Sequence, residues 1–514
     1  MNPSKASGPD SIPPSILKEC AQELAIPLAI LMNRSIREGV IPADWKIAHV
    51  TPIFKKGKKS APGNYRPVSL TSVTCKVMES IIRDQLIGHF TRNALFTDCQ
   101  HGFMNGRSCS TNLLAVLDIW TSVIESEGSI DTVYLDFAKA FDTVPHERLL
   151  RKLKGYGIGG DLLEWTRDFL TGRQQRVIIN SEKSGLGDVL SGIPQGSVLG
   201  PFLFVCFVND IPEAVHSNTF LFADDTKLFT KVPDNANTLQ EDLNKLQLWS
   251  DIWQLRFNAE KCKVMHIGRN NDKRKYCMNS NGSQITLETI SLEKDLGVNI
   301  DEELKFSKHI SIQVGKANKL LGLLRRGFML LDKISLPSLY KSIIRPHLEY
   351  ANVVWHPRYK GDEEQLERVQ RRATKLIPEL KDMQYEDRLK ELKLPSLYYR
   401  RARGDMIEVY KYLTSIYKVP STTLQRETKS ITRGNSSKLR KPYAKSSVRQ
   451  NFFSVRVVNA WNSLPEEVVQ APTLNTFKNR IDKVWLDYKF CLDSDWFRAP
   501  KPARANHVVN LKTQ

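Results

Sequence analysis

The sequence predicts an α+β fold in which a small, mostly antiparallel sheet is followed by an all-helical part. Three observations carry this expectation. Short β-branched and aromatic runs such as TVYL, RQQRVIIN and KVMHIGR are interspersed with longer amphipathic segments. They lack the regular strand and helix alternation that builds a parallel sheet. From about residue 303 the chain reads as one helical segment after another.

Each element has its own signal. Within residues 11–48, SILKECAQELAIPLAILMNRSIREG carries apolar residues at helical spacing until Gly39 closes the segment. A basic loop, FKKGKKSAPGN, precedes the amphipathic helix VTCKVMESIIRDQLIGHF, residues 73–90. The turn-rich stretch NALFTDCQHGFMNGRSCSTN then yields to the helical run LLAVLDIWTSVIES. TVYL, residues 132–135, is a strand ending at Asp136, and AKAFDTVPHERLLRKLKGYG is a helix interrupted around Pro145. SGIPQGSVLGPFLFVCFVNDI reads as a Gly/Pro loop feeding a buried helix, and TFLFADDTKLFT as a tight hairpin with acids at its turn. Residues 236–256 are helical, KVMHIGR is a strand, and NDKRKYCMNSNGSQI is an exposed polar excursion. Residues 303–345 and 362–413 are Lys/Arg-rich helical regions, and 420–448 is a Ser/Thr/Arg-rich linker or loop.

Composition narrows the classes. At 514 residues, 41% hydrophobic and 25% charged, the chain supports two or three domains and is not disordered as a whole. No eighteen-residue apolar run occurs, and MNPSKASGPD is too polar for a signal peptide, so an intracellular protein without a membrane span is expected. The cysteines form neither a CxxC pair nor a zinc-like cluster and read as reduced thiols. The net charge of +19 is uneven, because residues 301–514 hold 41 Lys and Arg against 23 Asp and Glu. That excess marks the C-terminal part as a candidate polyanion-binding surface, the alternative being ordinary solvated helix faces.

Asp224 and Asp225 raise a question of electrostatics. Two carboxylates about 4 Å apart repel by ~4 kcal/mol at an effective dielectric of 20, so a site that keeps both ionised needs a cation. A third carboxylate, for which Asp136 is best placed, would complete a site for two hard divalent ions capable of phosphoryl transfer. An isolated Asp-Asp at a hairpin is otherwise ordinary turn chemistry.

The order YLDFAKAFD, SGIPQGSVLGP, FADD resembles palm motifs A, B and C of reverse transcriptases. KASGPDSIPPSIL, WKIAHVTPIFKKGK, NYRPVSLTSVTCKVMESII and QHGFMNGRSCSTNLL resemble the fingers segments of the jockey-like, LINE-type (non-LTR) retrotransposon enzymes, and DLGVNID resembles their primer-grip region. The likeness is strong over about residues 5–300 and weaker beyond, where FFSVRVVNAWNSLPEEVV looks like a tail seen in such elements.

The resemblance implies a right-hand polymerase fold. Residues 1–49 would lead into the fingers, 50–300 form fingers and palm, 301–380 a helical thumb, and 381–514 a basic nucleic-acid-binding region. It implies RNA-directed DNA synthesis from dNTPs on an RNA template, with a DNA primer or nicked target DNA and two Mg²⁺, for which Mn²⁺ could substitute. A nuclear or cytoplasmic location follows.

It also assigns roles. Asp136 and Asp224 would ligate the metals with Asp225 beside them, and the Phe137 carbonyl is a further candidate ligand. Phe141 matches the aromatic gate against a ribose 2′-hydroxyl, and its alternative is a core Phe. Gln195 would contact nucleotide and template, with Gly192 and Gly196 allowing close backbone approach. Lys55 and Arg66 would clamp the triphosphate. Lys261 falls where a lysine is proposed to protonate pyrophosphate. No endonuclease or RNase H domain is recognised. A remnant that binds nucleic acid without turnover is the alternative in another class. An RNA-directed RNA polymerase shares the palm chemistry, and Phe141 argues against it.

Overall fold

The computed structural model describes residues 2–4, 6–233, 237–280, 282–419, 424–428, 434–493 and 497. Part of the expected 420–448 linker lies outside them. The chain opens with two helices, α1 (Pro14–Glu19) and α2 (Ala21–Glu38), the second ended by Gly39 in the left-handed region as expected. Two strands follow, β1 (Ile47–Phe54) and β2 (Tyr65–Leu70), and then α3 (Val73–Arg92) and α4 (Cys109–Glu125). Ser108 starts α4 with a reciprocal capping box to Thr111, satisfying two backbone donors that a helix start leaves open.

β3 (Ser129–Leu135) is almost wholly buried. It leads into α5 (Ala140–Thr143), and α6 (His146–Gly155) begins directly after Pro145, the interruption that the sequence signals. Then come α7 (Gly160–Leu170), β4 (Arg173–Ile179), β5 (Glu182–Lys183), β6 (Gly187–Val189) and the buried helix α8 (Gly200–Val208). The hairpin β7 (Asn218–Phe222) and β8 (Asp225–Val232) is followed by α9 (Thr238–Trp253), β9 (Lys263–Ile267), β10 (Cys277–Ser280), β11 (Ser283–Thr286) and β12 (Glu288–Thr289). β13 (Leu292–Asp295) and β14 (Val298–Asp301) close the strand-bearing part, and α10 (Ser307–Gly327) begins a helical one.

Two sheets organise the first part. One has the order β12-β9-β3-β8-β7, antiparallel except at β12 and β9. The other is built on β2-β1-β4, with β1 and β4 parallel. β3, in the middle of the first sheet, carries Ile130 and Val133 into opposite cores. Each fully buried aliphatic or aromatic side chain contributes ~1.5–3 kcal/mol, so β3 is a rigid mount for whatever follows Leu135.

Two sequence expectations need correction. Phe222 pairs with Asp225, so the hairpin turn is Ala223-Asp224 and Asp225 is the first residue of β8. The excursion NDKRKYCMNSNGSQI is not simply exposed, because it contains β10 and part of β11 and buries Tyr276 and Met278. The cause is Asp131, buried in the centre of β3. Its carboxylate accepts hydrogen bonds from His266 Nδ1 (2.6 Å), Tyr276 (2.6 Å) and Asn271 (2.8 Å). Burial alone would raise its pKa, but these donors outweigh that and hold it below the usual value.

The helical part shares a core with the back of the first sheet, joining Trp120, Phe229 and Ile300 to Trp355, Tyr399 and Trp461. The C-terminal residues return to α4, where Ser446 N–H and Oγ donate to Glu125 and Arg449 donates to Asp118 at 2.7 Å. Lys418 N–H donates to the Gly106 carbonyl at 3.0 Å. The eight cysteines are free thiols, and among the described residues no helix is long and apolar enough to cross a membrane.

Candidate active site

Asp136 stands one residue beyond Leu135, which pairs with Thr226 of the adjacent strand. Asp136 and Asp225 therefore leave the same end of the same strand pair, with Asp224 in the turn beside them. The Asp136 backbone is tied down, its carbonyl accepting from Asn258 N–H at 2.7 Å and its N–H facing Cys262 Sγ at 3.4 Å. Its carboxylate meets Lys261 Nζ at 3.3 Å. Phe137 is buried and stacks on Phe257 with centroids 4.5 Å apart.

Asp136 acts on the ionisation of both hairpin acids, and Asp224 acts on that of Asp225. Asp224 is exposed to solvent, yet the protein atoms crowded around its carboxyl and then the charge of Asp136 raise its pKa, against the pull of Arg66 and Lys55. Asp225 is likewise exposed, but desolvation by the protein around it, then Asp224 and Asp295, push it up to about 6, with Lys227 opposing and Asp136 adding to the rise. The acids thus hold more negative charge than their surroundings compensate. Among the described residues no three His, Cys, Asp or Glu side chains close into a finished metal cage. An oxygen-only set of carboxylates, two of which are held above their usual pKa, suits a hard divalent cation, which keeps open positions for water and phosphate.

Lys55 and Arg66 come from the facing ends of β1 and β2, where Ile53 pairs with Arg66, and both are exposed with their charge felt at Asp224. The loop of Gln195 and Gly196 is wedged between β2 and α5. Gln195 donates through its side-chain amide to Asp142 at 2.7 Å, and its backbone carbonyl accepts from Ser69 N–H at 2.9 Å. Gly196 has a φ of 118° and lies so close to β2 that a Cβ would sit 2.2 Å from the Ser69 carbonyl oxygen, so only glycine fits. Gly192 is buried in the same loop, and its carbonyl accepts from His146 Nε2 at 2.8 Å. Phe141, on α5, is half-buried and stacks on Phe204 at 4.3 Å.

Several supporting residues escaped sequence reasoning. The Gln100 side-chain oxygen accepts both Gly102 N–H (2.7 Å) and Ala223 N–H (2.9 Å), fixing the turn that carries Asp224. The Gly102 backbone is packed so tightly that a Cβ there would lie 2.3 Å from Ala223 N. Glu79 of α3 accepts from Val198 and Leu199 N–H at 2.6 and 2.9 Å, holding the start of α8. Lys227 and Asp295 form a buried ion pair behind Asp225. The doublet QH before GF was the available signal for Gln100, whereas Glu79 looks like the polar face of an amphipathic helix.

Part of the C-terminal charge is used inside the fold. Arg456 pairs with Asp405 at 2.8 Å, Arg403 with Asp482 at 2.9 Å and Arg449 with Asp118 at 2.7 Å.

Residues 53–300 match the family model described as reverse transcriptase (RNA-dependent DNA polymerase). The chain is 28% identical over 443 residues to the RNA-directed DNA polymerase from mobile element jockey of Drosophila melanogaster, covering 82% of this chain and 47% of that relative. It is 26% identical over 391 residues to the probable RNA-directed DNA polymerase from transposon X-element of the same organism, covering 73% and 42%. The probable RNA-directed DNA polymerase from transposon BS, also of Drosophila melanogaster, is 27% identical over 406 residues, covering 73% and 43%. The chain thus spans less than half the length of these curated relatives. Its acid-bearing hairpin, its Gly-containing wedge and the basic pair that faces them all fall within the matched segment, and residues 53–300 are a reverse transcriptase domain similar to those of the jockey, X-element and BS non-LTR retrotransposons.

Proposed function

We propose that the chain is an RNA-directed DNA polymerase of a LINE-type retrotransposon, extending a DNA 3′-hydroxyl along an RNA template with release of pyrophosphate. The observation that carries this reading is the meeting of Asp136, at the end of β3, with Asp224 and Asp225, at the tip of the next hairpin, in the field of Lys55 and Arg66. Residues 1–49 then lead into the fingers, 50–300 are fingers and palm, 301–380 the helical thumb, and 381–514 a basic nucleic-acid-binding region.

The carboxylates of Asp136 and Asp224 would hold two Mg²⁺, or Mn²⁺ in their place, with Asp225 and the Phe137 carbonyl beside them. Bound there, the ions supply Lewis acidity and neutralise developing phosphate charge. Arg66 grips the triphosphate through a planar fork and Lys55 acts as a point charge. Gln195 and Gly196 form the wall against the nascent base pair. Phe141 fills the space that a ribose 2′-hydroxyl would need. Lys261, already on Asp136, is within the site to give a proton to the leaving pyrophosphate. RNA template, DNA primer or nicked target DNA, and dNTPs are the partners, inside the cell in nucleus or cytoplasm.

The test is primer extension on an RNA template with dNTPs and Mg²⁺. Wild type extends and Asp224→Ala does not. A folded wild type that incorporates nothing replaces this reading with that of a nucleic-acid-binding remnant. Phe141→Ala should admit rNTPs, and unchanged sugar selection removes the gate assignment.

A further inference from the structure

Phe103 is a large aromatic side chain left 58% exposed, on a backbone with φ of 58°. A bulky L-residue holds that conformation only where its surroundings enforce it. They do so from both sides. Before it, Gln100 binds Gly102 N–H and the Gly102 backbone abuts Ala223. After it, the Arg107 guanidinium donates to the carbonyls of Asp98 (2.6 Å) and Gln100 (2.9 Å). The backbone is therefore fixed while the ring is kept out of the core. That ring meets Phe141 edge-on, with centroids 6.5 Å apart and planes at 84°. Phe141 in turn lies with its face on Phe204, at 18° and 4.3 Å.

We infer that Phe103 is a positioning residue for sugar selection: its edge-to-face contact holds the Phe141 ring down on Phe204, in the orientation that closes the space beside the ribose 2′ carbon. This rests on the polymerase reading of the site. Phe204 supports only one face of the Phe141 ring, so Phe103 limits its swing towards the exposed side. The strained, exposed backbone of Phe103 is explained by this task, since burying its ring in the core would remove the contact.

The experiment measures kcat/KM for dNTP and rNTP on one RNA template and DNA primer, for wild type, Phe103→Ala, Phe103→Tyr, Phe141→Ala and the Phe103→Ala/Phe141→Ala double variant. Phe103→Ala should lower dNTP-over-rNTP selection about three- to tenfold, the range that an edge-to-face aromatic contact supplies, mainly through rNTP KM. Phe103→Tyr keeps the ring and should restore selection. Because Phe103 acts through Phe141, the double variant should select no worse than Phe141→Ala alone. Unchanged selection in Phe103→Ala, or losses that add in the double variant, overturns this inference while dNTP extension by wild type leaves the polymerase reading intact. A wild type that extends no primer overturns both. Thermal melting of Phe103→Ala within a few degrees of wild type, as an exposed ring predicts, keeps a folding defect from imitating the result.

Discussion

Replacing Gln100 by Met probes whether the acid-bearing hairpin is held by its own strands or by a neighbouring loop. Met matches Gln in length but offers no strong acceptor, so Gly102 N–H and Ala223 N–H lose the oxygen they share at 2.7 and 2.9 Å. Gln100 is fully buried, and each buried donor left unpaired costs about 1–3 kcal/mol. Part of that is recovered, because Gln100 Nε2 has no hydrogen-bond partner and Met removes this orphan. The net loss should be about 2–4 kcal/mol, concentrated at the Ala223-Asp224 turn.

Urea unfolding reports the total, and hydrogen exchange of a peptide spanning residues 219–226 reports where it falls. A local loss of about 2 kcal/mol speeds exchange there roughly thirtyfold. Primer extension should fall with it, since Asp224 is displaced relative to Asp136. If Gln100→Met unfolds within about 0.5 kcal/mol of wild type and this peptide exchanges at the wild-type rate, Gln100 does not hold the turn.

Three further outcomes follow from the same geometry. The folded pKa of Asp225, about 6 against an ordinary 3.8, means that the metal-free folded chain retains a proton the unfolded chain gives up. That contribution to stability is present at low pH and lost as pH rises towards 6, while Mg²⁺ affinity, which needs the ionised carboxylate, rises over the same interval; titration calorimetry should show the rise and Asp225→Asn should reduce it, leaving the share that belongs to the raised Asp224. Glu79→Ala leaves Val198 and Leu199 N–H without their carboxylate and should cost about 2–4 kcal/mol in urea unfolding, whereas Glu79→Gln keeps an acceptor and loses less; equal losses would show that charge alone matters there. Arg66→Ala should raise the dNTP KM about tenfold or more with template–primer affinity unchanged in filter binding, because a bidentate charge-assisted contact is lost; weakened template–primer binding instead would move Arg66 to the nucleic-acid surface.

What was legible in the sequence is what local rules encode. Alternating apolar residues around FADD specify the hairpin, and the offset is only one residue, because Phe222 rather than Ala223 closes the last pair with Asp225. Gly39 and Pro145 mark helix boundaries by their own backbone limits. The helical span 11–48 takes in only Ile47 and Ala48 of the strand IAHVTPIF and the rest carries no signal, because Pro52 masks its period and its partners β2 and β4 supply the hydrogen bonds from outside. Glu79 and Asp131 are the deeper failures. Each is a carboxylate in a segment whose pattern gives no hint of burial, and each is buried because backbone or side-chain donors from more than a hundred residues away converge on it. Of the candidate site, the acids, the basic pair and the Gly/Pro wedge were readable by type and order, whereas the contacts that orient them needed the fold.

The electrostatics of the tip explain why those orienting contacts are necessary. Lys227 is a buried cation whose charge reaches Asp225, but it is engaged with Asp295, and the two act on Asp225 in opposite directions. Lys261 touches Asp136, yet that pair is largely exposed, at 64% and 43% of its side-chain surfaces, so solvent and salt screen it and its geometry is readily exchanged. Lys55 and Arg66 approach from the other sheet and pull on Asp224 without reversing its upward shift. Left alone, Asp224 in the turn and Asp225 at the start of β8 would move away from each other and from Asp136, or take up protons themselves. β3 buried on both faces, Gln100 beneath the turn and the tight Gly102 contact with Ala223 keep the turn from relaxing, so the repulsion is held in place for a cation to relieve. On this account the rigidity of the loop around Gln100 and the proposed metal affinity are one property. A variant that loosens the turn should weaken Mg²⁺ binding even though it removes no carboxylate.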